Sequence, residues 1–368
     1  MNDTTRLLVF EQRMLGDAIM SLPFIRAAAT QYEVHVSCAP AVARIFRLVL
    51  PEACIHTWHP PWLEPGTLKS KPSWLRAGWR TYIQRLRAVQ PKVAVSVWSD
   101  ARVHALMALS RAPVRIGFPM SAANYYAGHL PWRNRQLQVG RALDKAAGLI
   151  RRKPLLTTEL VRAHTDQHHV DSWHQIAGAL NLPWDVSTPW FHPPEVPLPA
   201  DLTSHLAAAR AAGQPVWLVH PGARVAAQRW SLLQFGAVAR EDLAARGARC
   251  ILINAPEKTW PTAWRNEFYV YQPESLEHLM ALVAAANGVL CNDTSVSHIA
   301  AALGKSVVAV FLASKPQWFG PYGDRCRSVA SNTCPLAPCM GRCLQERWIC
   351  HDADLRPGIR AALRELLD

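Results

Sequence analysis

Residues 288–311 read GVLCNDTSVSHIAAALGKSVVAVF. Two apolar, β-branched runs, Gly288–Asn292 and Ser306–Phe311, flank a stretch with helical spacing, Val296–Leu303, that Gly304 stops. Strand, helix and strand in this order form a crossover unit, which implies a parallel sheet. Open sheets of this kind bind ligands at the carboxyl ends of their strands, where Cys291–His298 falls. Unpaired N–H groups and the positive helix end favour a diphosphate there. Thr294, Ser295 and Ser297 add hydroxyl donors, and His298 lies on the first turn. Helix capping would account for Asp293 or Thr294 alone, but not for the whole cluster.

The same rhythm extends in both directions. Val216–His220, Arg249–Asn254 and a helix from Leu232 to Arg246, stopped by Gly247, complete a second α/β half. Upstream, Arg6–Phe10, Glu33–Cys38, Lys92–Trp98 and Val114–Gly117 read as strands. Helical stretches at Ala18–Thr30, Ala41–Leu50, Ser73–Ala88 and up to Ser110 lie between or beside them. Tyr125–Pro154 is polar, basic and poorly patterned, and reads as loop. Pro189–Pro199 (PWFHPPEVPLP) blocks helix and central strand alike and reads as a stiff connector. The expected organisation is therefore two Rossmann-like domains, 1–188 and 201–368, around a linker at 189–200, with a cleft between them.

A chain of 368 residues suits two such cores. It contains no run of about 20 apolar residues, as a membrane span requires. The apolar run near the start is too short for a secretory signal, so a cytoplasmic protein is expected. The net charge of +13 is lopsided: residues 1–190 hold 23 Lys+Arg against 12 Asp+Glu, whereas 191–368 hold 17 against 15. The first half is thus the one suited to a large anionic partner. Nucleic acid is disfavoured, because no aromatic-basic, helix-turn-helix or finger spacing occurs. Of nine cysteines, Cys334, Cys339, Cys343 and Cys350 crowd together in the Cys-rich segment 326–350. Four thiols at this spacing suit a structural Zn or Fe, or else remain thiols or form a disulfide. Asp352-Ala-Asp354 precedes a C-terminal helix and reads as capping, so no catalytic metal is expected.

Asp293-Thr-x-x-Ser-His-x-x-Ala-Ala-Leu-Gly304, followed by an apolar strand and Trp318-Phe-Gly-Pro-Tyr322, resembles the donor-site signature of the heptosyltransferase family. His220-Pro-Gly222-Ala223 with Gln228-Arg229-Trp230 resembles that family's loop after the first strand of the second domain. Met14-Leu-Gly16-Asp17 with Pro23 resembles its Gly-Asp opening. Two departures occur: Ser295 replaces the usual Gly, and Gln228 stands where a Lys is common, with Arg224 and Arg229 nearby; an Arg is expected to take over the charge role, Arg229 stabilising the leaving diphosphate together with the helix start at Asp293–His298.

The resemblance implies a GT-B α/β fold and inverting transfer of heptose from ADP-heptose to a sugar hydroxyl, with Asp17 as base. It implies Glu257 near the nucleoside, no cofactor for catalysis, and a phosphorylated, lipid-linked lipopolysaccharide core acceptor at the inner face of the inner membrane. Another nucleotide sugar, a protein or other glycan acceptor, and a non-catalytic nucleotide-sugar binder are the alternatives. On sequence alone, Asp17 also reads as a helix cap.

Overall fold

The structure, a computed structural model, describes residues 5–59, 78–118, 157–161, 167–255, 259–334, 337–339, 343 and 348–367. Elements are numbered over these residues. Two compact units divide the chain, Met1–Asp185 and Val186–Asp368.

In the first unit, β1 (Arg6–Phe10), β2 (Glu33–Cys38), β3 (Ile55–Thr57), β4 (Val93–Ser96), β5 (Val114–Gly117) and β6 (Glu159–Leu160) form one parallel sheet. Its order is β3-β2-β1-β4-β5-β6. The central strands are nearly continuous apolar runs, as strands covered on both faces must be. Helices α1 (Leu15–Met20), α2 (Leu22–Ala29), α3 (Ala43–Phe46), α4 (Trp79–Ala88), α5 (Ala101–Leu109) and α6 (His169–Ala179) accompany it.

The second unit repeats this plan. Its strands are β7 (Val216–His220), β8 (Arg249–Ile253), β9 (Tyr269–Tyr271), β10 (Gly288–Asn292), β11 (Ser306–Phe311) and β12 (Cys326–Ala330). Their order, β9-β8-β7-β10-β11-β12, is the same pattern counted from β7. Its helices are α7 (Ala200–Ala211), α8 (Leu232–Val238), α9 (Thr262–Arg265), α10 (Leu276–Ala285), α11 (Ser295–Ala302), α12 (Pro316–Phe319) and α13 (Arg356–Leu367). The core joins Trp217, Phe235, Trp260 and Trp264 to Leu355, Ile359 and Leu363 around α13. Arg360 closes on the buried Asp242 at 2.5 Å. Asp354 accepts a bond from the Arg356 N–H at 3.2 Å, a cap at the start of α13.

Several elements differ from the sequence expectation. Ala18–Thr30 is broken at Ser21, whose hydroxyl donates to the Ala18 carbonyl, and Pro23 opens α2 at a position that needs no N–H donor. Only Ala43–Phe46 of 41–50 is α-helical, after a 3₁₀ turn at Pro40–Val42. The helix entering Gly247 changes to a π turn at Ala239–Leu243, and Gly247 ends it at φ +83°. The strands β3, β9 and β12 are not among the expected elements; each is short or half-exposed. Pro189–Pro199 has neither helix nor strand. Trp190 and Phe191 are buried, and the Trp190 N–H donates to the Ala302 carbonyl at 2.8 Å. The expected loop at 125–154 lies outside the described residues.

Candidate functional site

In both sheets the strand order reverses between the first and fourth strands: β1 and β4 in one unit, β7 and β10 in the other. Crossovers leave in opposite directions there, opening a crevice at the strands' carboxyl ends. The loops after these four strands carry the polar groups.

In the first unit, Glu11 follows β1 and is completely buried. The Trp98 indole N–H, just beyond β4, reaches both carboxyl oxygens at 3.0 Å. The Arg13 backbone N–H donates to one of them at 3.1 Å. The Arg13 guanidinium lies 4.3 Å from the Trp98 ring centre and 3.7 Å from Asp100, which Arg102 also holds at 2.6 Å. His169, buried on α6, stands 3.8 Å from the Glu11 carboxyl and packs its ring 4.7 Å from that of Trp98.

Asp17 is the third residue of α1, directly after the half-buried Gly16, and its carboxyl accepts the Met14 N–H at 3.0 Å. Burial pushes Glu11 up to about 7, against the pull of Trp98 and Arg13. Burial also raises Asp17 to about 6; neighbouring His169 opposes the rise and Glu11 adds to it. His169 is depressed to about 4, again chiefly by burial. Near neutrality, Asp17 is therefore mostly ionised beside a neutral imidazole and a carboxyl close to its midpoint. Such clustered perturbation is characteristic of functional sites.

In the second unit, Asn292 ends β10 fully buried. Its amide donates to the Pro221 carbonyl at 2.6 Å and accepts the Trp230 N–H at 2.9 Å, tying both ends of the 221–230 loop to β10. Gly222 is buried in that loop. Asp293 receives the Gln228 amide at 2.6 Å and the Ser314 hydroxyl on the same oxygen. Thr294 caps α11 by accepting the Val296 N–H at 3.3 Å, and Ser295 is half-buried on the first turn.

The structure thus brings Gln228, Asp293, Thr294 and Ser295 to one strand edge. Ser297 is different: it is buried, with its hydroxyl donating to the Thr294 carbonyl at 2.7 Å, so it braces the cap. His298 is buried as well. Arg229 donates to the Ala223 and Arg224 carbonyls at 2.7 and 3.4 Å, clamping the loop, and lines a cleft of about 390 Å³ with Trp230, Leu233, Trp348 and His351. Arg224 itself is exposed. Glu257 lies outside the described residues.

Sequence reasoning missed Glu11, Trp98, His169, Asn292 and Ser314. A signal existed for two of them, since Glu11 and Asn292 are polar residues at the carboxyl ends of apolar strands.

No disulfide joins any of the nine cysteines. Burial raises the Cys350 thiol first, and its neighbours Cys334, Cys339 and Cys343 contribute to its electrostatics, so the four share one neighbourhood. Among the described residues, a tighter group, with ligand atoms within 4.8 Å, is Glu33, His35 and Cys54. Its polar atoms are engaged: His35 bonds to Glu33 at 2.9 Å and His56 at 3.0 Å, and Arg6 holds Glu33 at 3.1 Å.

The sequence model of glycosyltransferase family 9 (heptosyltransferase) matches residues 141–349, more than half of the 368. Among solved structures, E. coli ADP-heptose lps heptosyltransferase II aligns with a TM-score of 0.59 at 16% identity, covering 99% of this chain and 98% of that one. A glycosyl transferase family 9 protein from Veillonella parvula DSM 2008 aligns with a TM-score of 0.62 at 15% identity, covering 100% and 98%. E. coli heptosyltransferase WaaC with ADP gives 0.60 at 16% identity, covering 89% and 93%. At such identities these likenesses speak for a shared two-domain α/β fold. Among curated proteins nothing matches.

Proposed function

Because the chain belongs to glycosyltransferase family 9 and is a glycosyltransferase, we propose that it moves heptose from ADP-heptose to a hydroxyl of a phosphorylated lipopolysaccharide core. The observation that carries this reading is Asp17, a carboxylate poised near 6 at the first unit's switch point. A sugar hydroxyl is a poor nucleophile at neutral pH, and a base of this strength can accept its proton as the bond to the anomeric carbon forms. Attack opposite the leaving diphosphate inverts the anomeric centre.

The second unit takes the donor. In this reading the N–H groups at the start of α11 and Arg224, which is exposed, would supply the positive charge for the diphosphate as its charge develops. This shifts to Arg224 the role that the sequence suggested for Arg229, whose guanidinium clamps the loop. The Gln228 amide on Asp293 favours a second reading, in which another nucleotide sugar is the donor.

The acceptor belongs to the first unit, whose excess of cations suits a phosphorylated, lipid-linked oligosaccharide at the inner membrane surface. No helix among the described residues is long and apolar enough to cross a membrane. Purified protein given ADP-heptose and a phosphorylated core acceptor should yield the extended core by mass spectrometry. Acceptor KM should climb steeply with salt while donor KM changes little, because exposed charges are screened over about 8 Å at physiological ionic strength. No transfer to the core under conditions where another donor or acceptor reacts would sink the assignment.

Catalysis in this scheme uses no metal. Cys334, Cys339, Cys343 and Cys350 share one neighbourhood, and a structural Zn or Fe would be held by these four thiols. Protein purified under reducing, chelator-free conditions should carry about one such ion per chain, as expected for a four-thiolate site. Stripping it should lower the melting temperature. Metal-free protein with unchanged melting would remove this site.

A further inference from the structure

The margin of the first sheet holds a second group of chemically active side chains. β2 and β3 run parallel, with Val36 level with Ile55 and Ser37 level with His56. One step earlier His35 falls beside Cys54, the last residue of the 3₁₀ turn Glu52–Cys54 that leads into β3. Side chains alternate along a strand, so Glu33, His35 and Ser37 share one face of β2, and His56 lies on that face of β3. A carboxyl oxygen of Glu33, a ring nitrogen of His35 and the Cys54 sulfur all lie within 4.8 Å of one another.

Glu33 divides its two oxygens. Oε2 accepts from the Arg6 guanidinium at 3.1 Å, whereas Oε1 lies 2.9 Å from His35 Nε2. The other ring nitrogen, Nδ1, lies 3.0 Å from His56 Nε2. A hydrogen-bonded relay through Glu33, His35 and His56 accounts for the imidazole contacts, but not for the thiol set against the same two groups. Two oxygen or nitrogen ligands of one tetrahedral Zn²⁺ stand about 3.3 Å apart, given bonds of about 2.0–2.1 Å. The Glu33–His35 pair is about 0.4 Å short of that separation, so a small opening and a turn of the Cys54 side chain complete a ligand set.

We propose that Glu33, His35 and Cys54 form a site for Zn²⁺ that pins the marginal strand β3 to β2. A carboxylate, an imidazole and a thiolate suit a borderline-soft ion, whereas Mg²⁺ and Ca²⁺ take oxygen ligands. The two anionic ligands cancel the charge of the ion. Binding releases the Cys54 thiol proton, and solvent takes the fourth position. His35 then binds through Nε2 and donates its Nδ1 proton to His56, while Arg6 keeps Oε2 of Glu33, so each has an outer partner that fixes its orientation. Glu33 opens β2, at the end of the sheet opposite the loop that carries Asp17, so this inference is independent of the transfer chemistry.

The test uses the full chain, stripped of metal and kept reduced, and alkylated with and without added Zn²⁺. Peptide mass spectrometry then reads Cys54 alone, which separates this site from the cysteines at 334–350. Zn²⁺ should slow alkylation of Cys54 roughly tenfold or more, because a metal-bound thiolate is no longer a free nucleophile. Glu33→Gln and His35→Asn should each abolish that protection. His56→Phe keeps an aromatic ring but removes the outer bond to His35, and should weaken Zn²⁺ binding about 10–100-fold. Elemental analysis after dialysis against Zn²⁺ is the second measurement, and it decides if Cys54 alkylates too slowly to follow. Wild type should hold about one ion more per chain than Cys54→Ala, since any ion on the distal cysteines is common to both. Alkylation that Zn²⁺ leaves unchanged, or equal metal content in wild type and Cys54→Ala, overturns the site. Full protection of Cys54 in both Glu33→Gln and His35→Asn overturns its ligand set.

Discussion

Asp17→Asn should reduce turnover by two or more orders of magnitude while leaving the fold and ADP-heptose affinity near wild type. Asparagine has the same shape, and its oxygen still accepts the Met14 N–H. What disappears is the proton acceptor, and a positioned general base contributes about 10²–10⁴-fold. Wild-type activity should itself fall as pH drops through about 6, where Asp17 takes up its proton.

The stability effect has the opposite sign. Asp17 binds its proton more tightly folded than unfolded, because burial raises its pKa. The native state therefore loses stability as pH rises from the unfolded carboxylate value through about 6. At neutral pH Asp17 is ionised in an environment that disfavours the charge, and the neutral amide relieves that penalty. The variant should melt no lower than the parent at pH 7 and lose any advantage near pH 4. Kinetics with the true acceptor and melting curves at both pH values test the two parts separately. Undiminished turnover would reduce Asp17 to a helix cap.

Asn292→Ala should be the most damaging small change in the second unit. Its amide satisfies the Pro221 carbonyl and the Trp230 N–H within a buried strand end. Alanine leaves both partners unsatisfied and opens a small void. A buried polar group without a partner costs about 1–3 kcal/mol, so a loss of about 3 kcal/mol is expected. The loop carrying Gly222, Arg224 and Gln228 would also lose its tether, and donor KM should rise roughly tenfold, as about 1.4 kcal/mol of lost binding implies. Asn292→Asp retains an acceptor for Trp230 but sets oxygen against the Pro221 carbonyl, so it should not rescue. A loss below about 1 kcal/mol in denaturant unfolding, within the ordinary net value of one hydrogen bond, would show that the tether is dispensable.

The fold was legible where β-rich strands are buried on both faces. Arg6–Phe10, Glu33–Cys38, Gly288–Asn292 and Ser306–Phe311 appear with those bounds. It was illegible at the sheet margins, where Ile55–Thr57, Tyr269–Tyr271 and Cys326–Ala330 are held by a single neighbouring strand. The site divides in a similar way. Asp17, Asp293 and Thr294 were legible as candidates because each lies at a helix start or strand end within a short local motif. The Glu11 pocket was not, because Trp98 is 87 positions away in sequence and His169 comes from a helix that the pattern did not reveal. Arg229 and Ser297 were identified by residue type, yet their hydrogen bonds run to neighbouring carbonyls, and residue type does not show direction.

Helix α13 has a bearing on how the protein is made. Ile359 and Leu363 complete the same core as Trp217, Trp260 and Trp264. Synthesis proceeds at roughly 5–20 residues per second, so the first of these tryptophans leaves the ribosome on the order of ten seconds before the helix that covers it. The first unit can fold during that interval, whereas the second must wait with large aromatic side chains exposed. Nascent chains crowded on one message could therefore stick to one another through this half, and a chaperone that shields it until Arg356–Leu367 emerges would raise the yield of finished enzyme.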